Sequence, residues 1–213
     1  MSEAKQVSML EKDAKELLSK HGITVPRSIM SRDLPDSSGL HFPVVLKVSD
    51  DSILHKTDVG GVVLNIGSRE ALEKEFKAMK LKFPQSAYLV EEMAPPGVEF
   101  IIGIIKDRDF GNVIMLGSGG IFTELYEDVS FRKVPISSSD ATEMISEIAS
   151  RRFCHGFRGK KVNCDSLVEL LLNISRIVES NLYPIYSIDL NPVIASEKGV
   201  IVADAKILLA NTI

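Results

Sequence analysis

The chain has 213 residues, of which 45% are hydrophobic and 25% are charged, and its formal net charge is −4. This is enough apolar sequence for one large domain or two small lobes, and the acidic balance excludes a protein that coats nucleic acid. No apolar run approaches the roughly 20 residues of a membrane span, and the first residues lack the apolar core of a signal peptide. We therefore expect a soluble, cytoplasmic protein that does not associate with membranes.

The first half of the chain alternates between helical and strand patterns. Leu10, Ala14, Leu17 and Leu18 have the spacing of a helix that stops near Gly22. The apolar runs predict strands at 44–48, 61–66 and 88–90, with loop composition at 31–40. Ser68 is a suitable N-cap for a helix whose apolar face carries Leu72, Phe76 and Met79.

The second half predicts strands at 99–105 and 113–116, then two helices. Asp140 with Glu143 resembles a capping box for the first helix, and the second helix follows Asp165. Two closing strands, at 186–190 and 200–203, flank the turn 196–199. Strand pairs mixed with helices predict an α+β fold with antiparallel sheets, in an N-terminal lobe at 1–93 and a C-terminal lobe at 94–213.

Cys154 and Cys164 are too few for a disulfide framework. They could pair, but reduced thiols fit the expected cytoplasmic location better.

Lys47 lies in the middle of an apolar strand and precedes a polar loop that ends in Gly60 and Gly61. Strand alternation alone favours a lysine that points to solvent. A buried lysine would need an anion, and glycine amides can approach phosphate oxygens closely, so the combination indicates a phosphate site.

His55 lies within that loop, three residues before Asp58. Most loop histidines are ordinary surface residues. A neutral imidazole is also a nucleophile for phosphoryl groups, and Asp58 is available to fix its tautomer, so a catalytic role is the alternative.

Two further segments could contact a nucleotide. Glu91, Glu92 and Glu99 surround the break at 95–97; they form either a solvated edge or a surface that contacts adenine and ribose. A strand runs into Ser118, Gly119 and Gly120, which form either a tight turn or an anion-binding turn. This turn matches neither a Rossmann nor a Walker motif.

Oxygen donors near the C-terminus suit Mg²⁺. Asp189 and Asn191 share a strand face by the two-residue period, and we expect Asp204 in the following strand, where its charge would need a partner.

Several blocks resemble the ATP-grasp region of ADP-forming acetyl-CoA (acyl-CoA) synthetases, relatives of succinyl-CoA synthetase. The resemblance extends over nearly the whole chain, and the blocks that carry it are residues 42–47, 53–61, 90–99, 117–122, 156–159 and 188–192. The resemblance implies an ATP-grasp fold whose two lobes enclose ATP or ADP. Departures from the family pattern are mild: Asp189-Leu190 replaces a common Asp-Ile, and His21 replaces a common aromatic residue.

The resemblance also implies roles for the candidate residues. His55 would carry a phosphoryl group between a partner subunit and ADP, and Lys47 would bind phosphates. The segment from Glu91 through Glu92 to Met93 would line adenine, and Glu99 would bond the ribose. Asn191 and Asp204 would hold Mg²⁺, with Asp189 supporting them.

A partner is expected because the chain has no room for the CoA-binding and acyl-processing modules of the family. We expect an α subunit that carries them, in a hetero-oligomer of α2β2 type. One alternative function is a carboxylate–amine ligase, which would have no use for His55. The other is a regulatory ATP-grasp domain, which would be expected to lack Lys47, His55 or the Mg²⁺ ligands.

Overall fold

The computed structural model describes residues 6–50, 53, 56–120 and 128–210. These residues form two compact units. The smaller unit comprises Leu10–Asp13 and Pro26–Ala94, and the larger unit comprises the described residues up to Met9, Ala14–Val25, and those from Pro95 onward. The boundary expected between residues 93 and 94 stays a prediction, and each unit is described by itself.

Helices and strands alternate along the described part of the chain. The helices are α1 (Glu11–Lys20), α2 (Arg69–Lys82), α3 (Ser138–Glu147) and α4 (Cys164–Glu179), with a 3-10 helix at Ala149–His155. The strands are β1 (Gln6–Ser8), β2 (Ser28–Ser31), β3 (Val44–Ser49), β4 (Val62–Ile66), β5 (Ala87–Glu92), β6 (Val98–Asp107), β7 (Gly111–Ser118), β8 (Val129–Lys133), β9 (Ile185–Ser196), β10 (Gly199–Val202) and β11 (Lys206–Ala210).

The smaller unit is a four-stranded sheet with strand order β2-β5-β3-β4, in which every pairing is antiparallel. All six residues of the inner strand β3 are buried. Helix α2 begins at the N-cap Ser68, whose side chain accepts a hydrogen bond from the amide of Ala71, and packs Leu72, Phe76 and Met79 into the core of this unit. Those predictions for α2 are confirmed.

The larger unit contains a seven-stranded antiparallel sheet in the order β1-β11-β9-β6-β7-β8, with β10 paired to β9. The apolar face of α4 packs against this sheet and buries Leu167, Leu171 and Ile174 completely. The α+β class and the antiparallel sheets are therefore confirmed. Within the described ranges, no helix is long and apolar enough to cross a membrane.

Three local predictions were wrong. The capping box of α3 consists of Ser137 and Asp140, because Asp140 is the third helical residue and its carboxylate returns to the amide of Ser137. Helix α4 begins at Cys164, before Asp165 and not after it, and its N-cap Asn163 accepts a hydrogen bond from the amide of Ser166. Asp204 lies in the three-residue connection between β10 and β11, outside any strand.

The expectation of reduced thiols was also wrong, because Cys154 and Cys164 form a disulfide. Their Cα atoms are 5.6 Å apart, within the usual range for a bridge. The bridge connects the end of the 3-10 helix to the first residue of α4.

Candidate nucleotide and phosphoryl-transfer residues

Lys47 is buried on β3, with 7% of its surface exposed, so the solvent-facing interpretation is wrong. Its ammonium forms ion pairs with the carboxylates of Glu91, at 2.9 Å, and Glu11. Alternation failed here because β3 lies between β4 and β5, and both of its faces are buried. A buried ammonium between two carboxylates is held in a fixed place, as a phosphate-binding cation must be.

Glu11, in the first turn of α1, is a member of this cluster that the sequence analysis missed. One carboxylate oxygen bonds Lys47, and the other accepts a hydrogen bond from the ammonium of Lys56 at 3.2 Å. Positive and negative groups therefore alternate in the order Lys56, Glu11, Lys47, Glu91. The signal available in the sequence was weak, since a glutamate in a first helical turn is usually a solvated residue.

Gly60 and Gly61 close a tight turn that starts at Lys56. The amide of Gly60 donates to the carbonyl of Thr57 at 2.9 Å, and the amide of Gly61 donates to that of Lys56 at 2.6 Å. Gly60 has a φ of +65°, and a Cβ at Gly61 would lie 2.5 Å from a Val48 methyl, so both positions require glycine. In this structure both amides are used inside the turn. His55 lies outside the described residues.

The end of β5 carries Glu92 and Met93. The carboxylate of Glu92 accepts hydrogen bonds from the amide and the ring Nδ1 of His41, at 2.9 and 2.8 Å. Burial acts to raise the pKa of Glu92, but the bonds from His41 outweigh it, and the net shift is downward. The amide of Met93 donates to the carbonyl of Pro43 at 3.0 Å, which fixes the backbone expected to line adenine.

In the larger unit, Glu99 and the glycine-rich turn are brought together. The amide of Gly119 donates to the Glu99 carbonyl at 2.8 Å, and a Cβ at Gly119 would lie 2.5 Å from the Glu99 carbonyl carbon. A Cβ at Gly120, where φ is +71°, would lie 3.8 Å from a carboxylate oxygen of Glu99. Only glycine permits this approach, so the turn brings backbone amides next to the residue expected to bond a ribose.

Ser118 is fixed by a buried network that the sequence analysis did not predict. Its hydroxyl bonds the carboxylate of Asp128 and lies 2.6 Å from the hydroxyl of Ser150. Asp128 also accepts from the amide of Ala149, at the start of the 3-10 helix. These bonds attach the glycine-rich turn to a distant part of the chain. The Ser118 hydroxyl therefore holds the turn in place.

Asp189 and Asn191 lie on β9, and Asp204 lies in the connection between β10 and β11, two strands that both pair with β9. Asp189 is paired in register with Lys206, and the amide of Ala203 donates to the carbonyl of Pro192 at 3.0 Å. Asp204 directly follows Ala203 in the chain and lies between these two points. Asp189 and Asn191 are both exposed and lie on the same strand face.

This donor set fits Mg²⁺, which usually takes one or two protein carboxylates and completes its shell with phosphates and water. It contains two carboxylates and one amide oxygen. No group of three or more His, Cys, Asp or Glu side chains suitable for a metal is found among the described residues. Desolvation raises the pKa of Asp189, and the charge of Lys206 acts in the opposite direction.

Lys15 is a further buried cation that the sequence analysis missed. Only 2% of its surface is exposed, and its ammonium donates to the carbonyl of Ala203 at 2.8 Å. Lys15 therefore fixes the backbone immediately before Asp204.

Comparison with known proteins decides the family. The profile of the ATP-grasp domain matches residues 1–209. The chain belongs to the ATP-grasp family. It is 36% identical to the β subunit of the ADP-forming acetate–CoA ligase II of Pyrococcus furiosus, covering 96% of this chain and 92% of that subunit. This relationship places it among the β subunits of ADP-forming acetyl-CoA synthetases, a family of ligases, as the sequence resemblance predicted.

Two further relatives are a longer protein and a protein of known structure. The ADP-forming acetate–CoA ligase II of Archaeoglobus fulgidus is 36% identical over 94% of this chain, which spans only 30% of that relative. A structure of acetyl-coenzyme A synthetase 1 from Ca. Korarchaeum cryptofilum is 42% identical, with a TM-score of 0.85, and covers 95% of this chain and 92% of that one. That structure is described as a complex with coenzyme A and Mg-AMPPCP, with its phosphohistidine segment pointing towards the nucleotide-binding site. The ATP-grasp fold is therefore confirmed, and the Mg²⁺–nucleotide complex of this relative supports ATP or ADP with Mg²⁺ as the ligands.

Proposed function

We propose that this chain is the nucleotide-binding subunit of an ADP-forming acyl-CoA synthetase, which converts acyl-CoA, ADP and phosphate into acid, CoA and ATP. One observation carries the proposal. The turn that begins directly after His55 is hydrogen-bonded to the strand that carries Lys47, through the Val48 amide and the Gly61 carbonyl at 2.8 Å. His55 directly precedes this turn in the sequence, and the backbone of the turn is bonded to the strand that carries the buried cation Lys47.

The chemical step is a phosphoryl transfer through His55. When phosphorylated His55 gives its phosphoryl group to ADP, the phosphorus–nitrogen bond breaks and a bond to the terminal oxygen of ADP forms, leaving a neutral imidazole. Lys47 binds and screens the phosphates, which is the main task of a protein in phosphoryl transfer. Bound Mg²⁺ supplies further charge neutralisation on the diphosphate.

The remaining candidate residues hold the nucleotide and the metal ion. Glu91 to Met93 line the adenine, and Glu99 bonds the ribose hydroxyls. Asn191 and Asp204 hold Mg²⁺, with Asp189 supporting them. The loop glycines are assigned to the phosphates: Gly60 and Gly61 in one turn, and Gly119 and Gly120, with Ser118, in the other.

The proposal includes a partner. The acyl group and CoA are processed on an α subunit, in a hetero-oligomer of α2β2 type in the cytoplasm. The β-subunit relative from Pyrococcus furiosus supports a partner chain, because it is named as one subunit of a ligase.

The decisive experiment is detection of phosphohistidine. The complex is reconstituted with the α subunit encoded in the same genome and incubated with Mg-ATP, and peptides covering residues 50–61 are examined by mass spectrometry under alkaline conditions. We expect one phosphoryl group on His55, and we expect His55→Ala to abolish ATP formation from acyl-CoA, ADP and phosphate. His155→Ala, at an exposed histidine, is the matched control and should retain full activity.

The same experiment separates the alternatives. A carboxylate–amine ligase would hydrolyse ATP in the presence of an acid and an amine, and His55→Ala would not affect it. A regulatory domain would bind nucleotide without forming phosphohistidine. Retained turnover in His55→Ala with the partner present would refute the proposed role.

A further inference from the structure

We propose that Glu11 is a positioning residue that anchors the turn following His55 and links this anchor to Lys47. The inference rests on the proposed function for its catalytic consequence. The structural part stands on the contacts of Glu11 alone.

Glu11 is shared between two lysines that come from different parts of the chain. Its side chain is 4% exposed, and its two carboxylate oxygens bond separate ammonium groups, that of Lys47 on β3 and that of Lys56 at 3.2 Å. A buried carboxylate bonded through both oxygens has little freedom to rotate. Glu11 therefore fixes the Lys56 ammonium relative to β3.

Lys56 passes this restraint to the turn. Its carbonyl accepts the 2.6 Å hydrogen bond from Gly61, so its side chain and its backbone are both held. Lys56 directly follows His55, and consecutive Cα atoms are about 3.8 Å apart. Anchoring Lys56 therefore restricts one end of the segment that carries the proposed phosphoryl carrier.

The charges of the cluster make the anchor responsive to an anion. Lys47 is balanced by Glu11 and Glu91, while Lys56 is 25% exposed and is balanced by Glu11. A phosphate group that binds Lys47 competes with Glu11 for the Lys47 ammonium. The Glu11 carboxylate then interacts more strongly with Lys56. By linkage, anything that strengthens the hold of Glu11 on Lys56 must in turn favour the anion at Lys47.

A merely structural ion pair would affect the stability of the fold but not the turn at Gly60 and Gly61 or the rate of phosphoryl transfer. Glu11→Gln keeps the shape of the side chain but removes its charge, and Lys47 still has Glu91, so we expect the variant to fold. Lys56→Gln removes the other partner and leaves the pairs of Lys47 intact. Asp13→Asn, at an exposed acid in the same helical turn, is the matched control.

The first measurement is hydrogen exchange at the amides of Gly60 and Gly61, in the reconstituted complex without nucleotide. We expect exchange about tenfold faster in Glu11→Gln and in Lys56→Gln, since a bond to a charged group is lost, and no change in Asp13→Asn. The double variant should be no faster than either single variant, because both remove the same contact. Unchanged exchange in Glu11→Gln, or additive effects, would overturn the proposal.

The second measurement separates positioning from nucleotide binding. In a single turnover from phosphorylated complex to ADP, measured at saturating ADP so that weaker binding does not limit the rate, we expect Lys56→Gln to slow the transfer about tenfold. A fall in ADP affinity without a slower transfer would contradict the positioning role. Absence of phosphohistidine in the wild-type complex would instead refute the proposed function, and the exchange measurement would still decide the role of Glu11.

Discussion

The ammonium of Lys47 lies 2.9 Å from a carboxylate oxygen of Glu91 on the neighbouring strand, and more than nine-tenths of each side chain is buried. Desolvating two charges is costly, and their attraction offsets that penalty only while both partners are present. Loss of this pair should therefore affect both the stability of the smaller unit and its proposed binding of phosphate.

We expect Lys47→Met to lower the free energy of unfolding by about 3–5 kcal/mol, because it removes the ammonium from between two buried carboxylates. Urea unfolding measures this directly. Lys77→Met, at an exposed lysine on α2, should stay within about 0.5 kcal/mol of the wild type. Adding Glu91→Gln to Lys47→Met should recover part of the loss; a further loss would show that the charges are not coupled.

The contrast between Lys47 and Glu11 shows what the sequence could and could not predict. Lys47 was found because it interrupts an apolar run beside a glycine-rich loop. Glu11 lies 36 residues earlier and is brought to Lys47 only by the fold. The same holds for Asp128 and Lys15, whose partners Ala149 and Ala203 are distant in sequence and whose local surroundings carry no pattern.

The fold was predicted where apolar periodicity is strong and missed where it is weak. Helix α2 and its Ser68 cap, and strands β3 to β7, follow from spacing and turn residues. Strands β1, β2, β8 and β11 are short and rely on pairing with neighbours for their stability, so composition did not reveal them. Asp204 was placed in a strand because its neighbours are apolar, although the chain turns there between β10 and β11.

Gly119 offers a test of the glycine-rich turn. Gly119→Ala places a methyl group 2.5 Å from the Glu99 backbone, which cannot move without disturbing β6, so we expect a loss of about 1–3 kcal/mol in unfolding free energy. Gly67→Ala has open space around its Cβ and should be neutral. We also expect weaker binding of ADP to Gly119→Ala, measured by calorimetry. Equal stability of the two variants would show that the turn is looser than this structure indicates.

The disulfide predicts a dependence on reducing agent. It closes a loop of 10 residues, for which chain entropy predicts about 2–3 kcal/mol of stabilisation. Urea unfolding with and without reductant should differ by this amount, and the difference should vanish in Cys154→Ser/Cys164→Ser. Thiol titration of the native, unreduced protein should find no reactive cysteine; two free thiols would restore the expectation drawn from the sequence.

Asp189 gives the clearest prediction for pH. Desolvation by the surrounding protein raises the pKa of its carboxyl group above the usual 3.8, although the side chain stays partly accessible to solvent, so the folded protein binds this proton more tightly than the unfolded chain does. The stabilisation from this proton is complete below pH 3.8 and is lost as the pH rises through the raised value. Asp189→Asn should therefore gain stability relative to the wild type as the pH rises through this window, by less than about 1 kcal/mol because the side chain is exposed.

An NMR titration of the Asp189 carboxyl carbon tests the pKa itself. Lys206→Met should raise the pKa further, since the ammonium of Lys206 favours the charged carboxylate. Mg²⁺ with ADP should lower it if Asp189 supports the metal ion, because a cation stabilises the same charged form. A pKa at or below 3.8 in the free protein would contradict the desolvation of this carboxylate by the surrounding protein. A pKa unaffected by Mg²⁺ and ADP would show that Asp189 does not support the metal site.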